Sequence, residues 1–263
     1  MQIQAAEKTS LKHGHLREIR MALRDVLRST RKDGWKGALV FLFLICFAIF
    51  PLVYYDSDFI YWVSEFPMGS AWQERIERLA AWIKKNGDMQ LTVLPSVVVF
   101  ATAGVLRRSR FLKRAAASLF ICALMAGISV HVVKKCFGRP RPAVVQTGLA
   151  EDAGALIGPT VLSKWNSFPS GHSSSAACGL MFLVMIFPRL GYAMILIVSV
   201  IGLSRVISNA HWLTDVIGGV GHGCIWGWIG GKHLRRIRLR AERRNQRLQK
   251  ASSTHEVSAA DQP

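Results

Sequence analysis

In the stretch "SRVISNAHWLTD", residues 204 to 215, a histidine and an aspartate stand four positions apart: His211 and Asp215. On a helix that starts near His211 this spacing puts both side chains on one face, with about 5–6 Å between their Cβ atoms. A carboxylate there can accept a hydrogen bond from one imidazole nitrogen, which fixes the tautomer and leaves the other nitrogen bare. A bare imidazole nitrogen is a nucleophile or a base. An ordinary satisfied histidine at a helix start has the same spacing, so the pair alone decides nothing.

The cations change the reading. Lys134, Arg139 and Arg141 lie in "KKCFGRPRP", and Arg205 lies six residues before His211. Like charges brought together repel unless an anion neutralises them. Arginine offers a planar fork matched to phosphate oxygens and lysine a point charge. Gly138, Pro140 and Pro142 break a helix and let the chain turn so that Lys134 and Arg141 can both face inward. A third stretch, "SFPSGHSSSA" at 167–176, places Ser170 and Gly171 at a helix start, where backbone N–H groups, a hydroxyl and the helix dipole favour an anion. His172 beside them is a second imidazole, suited to giving a proton to a leaving group.

These residues need a scaffold, and the hydropathy pattern supplies one. The 263 residues are 51% hydrophobic, and polar blocks alternate with apolar runs of bilayer-crossing length. Six runs are expected to span, at about 37–55, 89–106, 115–133, 173–188, 190–207 and 213–231. The fold class expected is therefore all-α: a polytopic six-transmembrane-helix bundle between a basic arm (1–36) and a basic tail (232–263). The first run follows a long polar segment and precedes bulky "PLVYYDSD", so it is expected to stay as an anchor rather than be cleaved as a signal. The sixth run holds seven glycines, which suits a helix packed closely inside the bundle.

With both termini cytoplasmic, the arm, the 107–114 turn, Arg189 and the tail hold 24 of the 34 Lys and Arg residues. The 16 acids divide 7 inside and 9 outside, so basic residues mark the inner face. That orientation sends Lys134, His172, Arg205 and His211 to the outer end. Charged side chains within apolar spans cost about 2.5–3.5 kcal/mol at a helix centre, so several converging at one depth imply a function.

The net charge of +18 comes largely from segments abutting apolar runs, as topology and attraction to anionic lipid require, and no nucleic-acid partner is expected. Leu16, Ile19, Leu23 and Val26, interleaved with arginines, fit an amphipathic surface helix or a solvated arm. Trp72, Ile76, Leu79 and Ile83 predict an amphipathic outer-face helix, either at the headgroups with Trp82 or over the bundle. Cys46, Cys122, Cys178 and Cys224 fall in apolar runs and Cys136 near the outer face, which reads as packing. His222 and His131 read as packed polar residues, and "ASSTHEVSAADQP" as disordered.

Taken in order, "KKCFGRPRP", "PSGH" and "SRVISNAHWLTD" resemble the three signature motifs of the type-2 phosphatidic acid phosphatase superfamily. The likeness in motifs covers about residues 134–215. It implies that His211 attacks phosphorus and forms a phosphohistidine, that Asp215 orients it, and that His172 protonates the leaving group. Lys134, Arg141 and Arg205, with Ser170 and Gly171, would hold the phosphoryl oxygens. Arg139 and Ser204 would stand behind them. No metal or other cofactor is implied, and the sequence has no HExxH or clustered-carboxylate pattern.

A site at the outer end of a bundle suits an amphiphile whose phosphate lies at headgroup level. The expected partners are a lipid phosphate substrate and membrane lipids, in the bacterial cytoplasmic membrane with the site facing the periplasm or exterior. Undecaprenyl diphosphate, phosphatidylglycerol phosphate, phosphatidic acid and lipid A 1-phosphate share the group these motifs would bind. A lipid phosphotransferase would use the same residues, whereas a mere anion binder or transporter has no requirement for two imidazoles and a carboxylate.

Overall fold

The computed structural model describes residues 20–21, 24, 52–65, 70–86, 89–149 and 157–260, and every regular element among them is helical. In chain order these are α1 (Asp56–Glu65), α2 (Ser70–Asn86), α3 (Met89–Leu106), α4 (Arg110–Phe137), α5 (Pro142–Gln146), α6 (Gly171–Ile186), α7 (Pro188–Ile207) and α8 (Leu213–Ala260), with 3-10 turns at Val53–Tyr55 and Ser163–Trp165. The basic arm, with its amphipathic stretch, and most of the first expected span lie outside the described residues.

The other five expected spans coincide with α3, α4, α6, α7 and the first part of α8. Only the helical run that begins at Arg110 is, among the described residues, both long and apolar enough to cross a bilayer by itself. Shorter apolar stretches occur at Val93–Leu106, Gly171–Ile186 and Met194–Ile207. With 16 residues α6 is about 24 Å long, short of a ~30 Å hydrocarbon layer. The helix α8 does not stop at the expected boundary near Gly231. It continues to Ala260, so the stretch expected to be disordered is helical that far. Its Arg, Glu, Gln, Leu, Lys and Ala residues are strong helix formers.

The glycines of α8 explain the packing. A Cβ placed on Gly219, Gly223 or Gly227 would stand 2.3, 2.0 or 2.3 Å from the carbonyl oxygens of Ser170, Ser174 and Cys178. Both sets step by four residues in the same direction, so α6 and α8 run parallel with their backbones in direct contact, as small residues permit. Substituting Gly223→Ala should lower the detergent melting temperature by an amount equivalent to roughly 1–3 kcal/mol, the usual cost of overpacking. Gly127→Ala, where a Cβ meets nothing within 4 Å, should not lower it. Equal melting temperatures for the two variants would refute backbone-to-backbone packing.

The main core lies among α3, α4, α6 and α8, around Phe100, Leu119, Cys122, Phe182 and Ile229. Ile83 of α2 shares a buried cluster with Ala176, Ala177, Val198 and Ile201, and α2 lies against α7. Of the four periodic residues Ile83 is buried and Ile76 half-buried, on one stripe with Ala80, whereas Trp72 (63%) and Leu79 (53%) are exposed, as is Trp82 (53%). Burial follows the small residue that lets the helix approach. The turn at Phe187 reverses α7 against α6, and α4 runs opposite to α6 and α8, with Lys134 beside Gly171 and Cys122 beside Gly230. The end of α4, the start of α6, the end of α7 and the start of α8 therefore share one end of the bundle.

Candidate active site

At that end the polar residues are assembled by chain breaks. α4 closes on Gly138 in the left-handed conformation (φ 59°), where a Cβ would lie 2.1 Å from the Gly158 carbonyl oxygen, so glycine is required. The chain then turns through Arg139-Pro140-Arg141, and Pro142 opens α5. This turn is bonded to the segment before α6: Arg141 N donates to Lys164 O (3.1 Å), Ser167 N to Arg139 O (3.1 Å), and Arg141 Nε to Ser163 O (3.1 Å). Trp212 Nε1 donates to Pro140 O (2.8 Å), which ties the start of α8 to the same turn.

His211 is 2% exposed, and its Nδ1 lies 3.6 Å from Asp215 Oδ2. That is just beyond hydrogen-bond length, and catalytic contacts commonly tighten only when substrate binds. The same Oδ2 accepts Ser167 Oγ (2.5 Å) and Trp212 N (2.9 Å), and Ser167 Oγ also lies 3.5 Å from His211 Nδ1. With Nδ1 turned to the carboxylate, Nε2 is the nitrogen on the far side of the ring. Asn209, at φ 50°, closes the turn before His211, and Arg205 O accepts the N–H groups of Ala210 (3.1 Å) and His211 (3.2 Å).

Burial pushes the His211 imidazole down from 6.5 to about 4; Asp215 pulls it upward, and the charges of Lys134 and Arg141 push it down further. The ring is thus neutral and feels both cations. Above about 6.5 the native and unfolded chains both hold it neutral. Between about 6.5 and about 4 only the unfolded chain takes up the proton, so this group makes stability fall as pH drops through that window. Nitrogen-15 NMR of labelled histidine should find His211 still neutral at about pH 5, below the ordinary imidazole value. A midpoint near the ordinary value would contradict this.

Lys134 is buried at the end of α4, with its Nζ over the first residue of α6, 3.8 Å from where a Gly171 Cβ would stand. Arg205 is buried in the last turn of α7. Burial pushes the Arg141 guanidinium below its ordinary value, opposed by the Asp215 charge. His172, half-buried, is the second residue of α6. Ser170 N donates to Asp215 O (2.9 Å), which pins the starts of α6 and α8 together.

That bond corrects one expectation, because the Ser170 N–H is already committed and cannot serve an anion. Its Oγ caps α6 by accepting from Ser173 N (3.5 Å) and takes Ser173 Oγ (3.0 Å), leaving its own proton to donate. Ser204 differs too, since its hydroxyl donates to Ile201 O (2.7 Å) within α7. Arg139, by contrast, is at the centre: Nη1 donates to Asp215 Oδ1 (2.7 Å) and Thr214 Oγ1 (2.7 Å), and Nη2 to Asp56 Oδ2 (2.7 Å), while the guanidinium lies 5.6 Å from the Trp212 ring centroid.

The sequence reading did not single out Ser167, Thr214 or Asp56. Ser167 stands in the very stretch that raised suspicion and could have been found there. Asp56 carried no signal beyond being a carboxylate after an apolar run.

Residues 115–236, which hold all of these groups except Asp56, match the family model of the PAP2 superfamily. Over that segment, a little under half of its length, the chain is similar to the PAP2 superfamily. A lipid A 1-phosphatase of Rhizobium johnstonii is 25% identical over 158 residues, 56% of this chain and 64% of that protein. A lipid A 1-phosphatase of Rhizobium etli is 32% identical over 116 residues, 43% of this chain and 46% of that protein. The chain thus aligns with about half to two thirds of the length of these relatives. Among solved structures, the first transmembrane PAP2 type phosphatidylglycerolphosphate phosphatase from Bacillus subtilis superposes with a TM-score of 0.51 at 20% identity, covering 75% of this chain and 94% of that one. The fold is shared with that structure; at that identity nothing finer follows.

Proposed function

We propose that this protein is an integral membrane phosphatase of the PAP2 superfamily that hydrolyses a lipid phosphomonoester or diphosphate through a phosphohistidine on His211. The observation that carries the reading is the buried His211 imidazole, with Asp215 on its Nδ1 side, at the end of the bundle where Lys134, Arg141 and Arg205 also lie. In the first step Nε2 attacks phosphorus and the bond to the leaving oxygen breaks, His172 giving that oxygen a proton. In the second, water attacks the phosphohistidine, His172 takes the proton back, and inorganic phosphate leaves. Lys134, Arg141 and Arg205, with the Ser170 hydroxyl and the start of α6 at Gly171, hold the charge that builds on the phosphoryl oxygens.

Among the substrates that share this group, the relatives favour lipid A 1-phosphate over undecaprenyl diphosphate, phosphatidylglycerol phosphate and phosphatidic acid. These four lipids, assayed side by side with purified protein in detergent micelles, should yield phosphate without added metal and with inhibition by vanadate. No release from any of them would overturn the reading. Transfer of phosphate to a second lipid in place of release would reassign the second step to a phosphotransferase. The basic 107–114 turn and tail support an orientation with the termini cytoplasmic and the site outside. A cysteine at Trp165 should then react with an impermeant reagent in intact cells, and labelling only after lysis would reverse the orientation.

A further inference from the structure

Asp56 lies well before the segment matched by the family model, yet its carboxylate is 1% exposed and sits against the candidate site. Oδ1 accepts the backbone N–H of Thr214 (3.1 Å), and Oδ2 accepts both the Thr214 hydroxyl and Arg139 Nη2 (2.7 Å). Thr214 is the second residue of α8, so Asp56 satisfies one of the N–H groups a helix start leaves without an intrahelical partner. It supplies a negative charge where the helix dipole favours one.

The consequence runs through Arg139. Its guanidinium is a rigid fork, with one nitrogen on Asp56 and the other on Asp215 Oδ1 and Thr214 Oγ1. A carboxylate held at Oδ1 can no longer rotate freely, and it is Oδ2 that then faces His211 Nδ1. Charge matters as well as geometry. Arg139 alone would neutralise Asp215; with Asp56 on its other side, the three groups together keep one net negative charge behind the imidazole. That charge stabilises the ring as its Nε2 bonds to phosphorus and positive charge develops on it.

We propose that Asp56 is a positioning residue for His211, acting through Arg139 and Thr214 to orient Asp215 and to leave it a net negative charge. The proposal rests on the phosphatase reading for its kinetic test but not for its spectroscopic one. In the full chain in detergent, Asp56→Asn keeps the size of the side chain and removes its charge. It should lower kcat roughly 10- to 100-fold, the scale of losing an orienting partner or misplacing a group by an ångström. The KM should stay within about twofold, because no substrate contact is altered. Asp58→Asn, on the exposed side of the same helix, should change neither. Asp56→Glu keeps the charge and should recover part of kcat.

In nitrogen-15 spectra of labelled histidine, Asp56→Asn should convert the single His211 tautomer with its proton on Nδ1 into a mixture. An unchanged kcat and tautomer would overturn the proposal. So would unfolding of both Asp56 variants, which is the behaviour of a purely structural ion pair. If the parent protein releases no phosphate, the phosphatase reading fails and the tautomer measurement alone decides the role of Asp56.

Discussion

Replacing His211 with alanine is expected to lower phosphate release by on the order of ten-thousand-fold or more, as removing the nucleophile of a catalytic constellation does. The fold should survive. The imidazole's contacts with Ser167 and Asp215 are long, at 3.5 and 3.6 Å, whereas the backbone N–H of residue 211 keeps its bond to Arg205 O. The melting temperature should therefore stay near that of the parent, and Lys134, Arg141 and Arg205 should still bind the lipid phosphate. A denaturing quench during turnover should trap an acid-labile phosphoryl group on the parent protein and none on the variant. Full activity in His211→Ala would remove the nucleophile assignment. Lost activity together with a collapsed melting temperature would make His211 structural.

Much of this site can be read from sequence because ionisable residues beside apolar runs are rare. Lys134, Arg141, His172, Arg205, His211 and Asp215 each stand out against an apolar background, and helix ends at 106, 207 and 213 follow from where apolar runs meet polar or charged residues. What local pattern cannot carry is the identity of distant partners. Asp56 looks like a solvated loop carboxylate until Arg139, 83 positions away, is seen on it. The glycines of α8 announce close packing, but only the parallel course of α6 shows that Ser170, Ser174 and Cys178 receive them. The same packing commits the Ser170 N–H to Asp215 O, an outcome that the motif by itself would assign to an anion.

Arg139 shows what the distant partners do energetically. It is 3% exposed and stands between Asp56 and Asp215, which are 1% and 0% exposed. Arg139→Ala leaves two buried carboxylates without their shared cation. Removing one partner of a buried pair costs about 3–5 kcal/mol, far more than the loss of a surface ion pair. Arg139→Lys should restore little, since one ammonium cannot reproduce a fork that reaches both acids and Thr214. Phosphate release should be lost in both variants, because Asp215 then loses its bond at Oδ1 and has only Ser167 and Trp212, at Oδ2, to orient it toward His211. The pH dependence separates this cause from general damage. Burial already pushes the Asp56 carboxyl up from its ordinary value, opposed by its bonds from Thr214 and Arg139, and losing Arg139 raises it further. A carboxyl raised in the native state gives stability at low pH that is lost as pH rises through the native value. The difference in melting temperature between Arg139→Ala and the parent should therefore narrow as pH is lowered below neutral, as Asp56 takes up a proton and no longer opposes Asp215. A difference that stays constant over that range would show that the guanidinium contributes packing rather than charge.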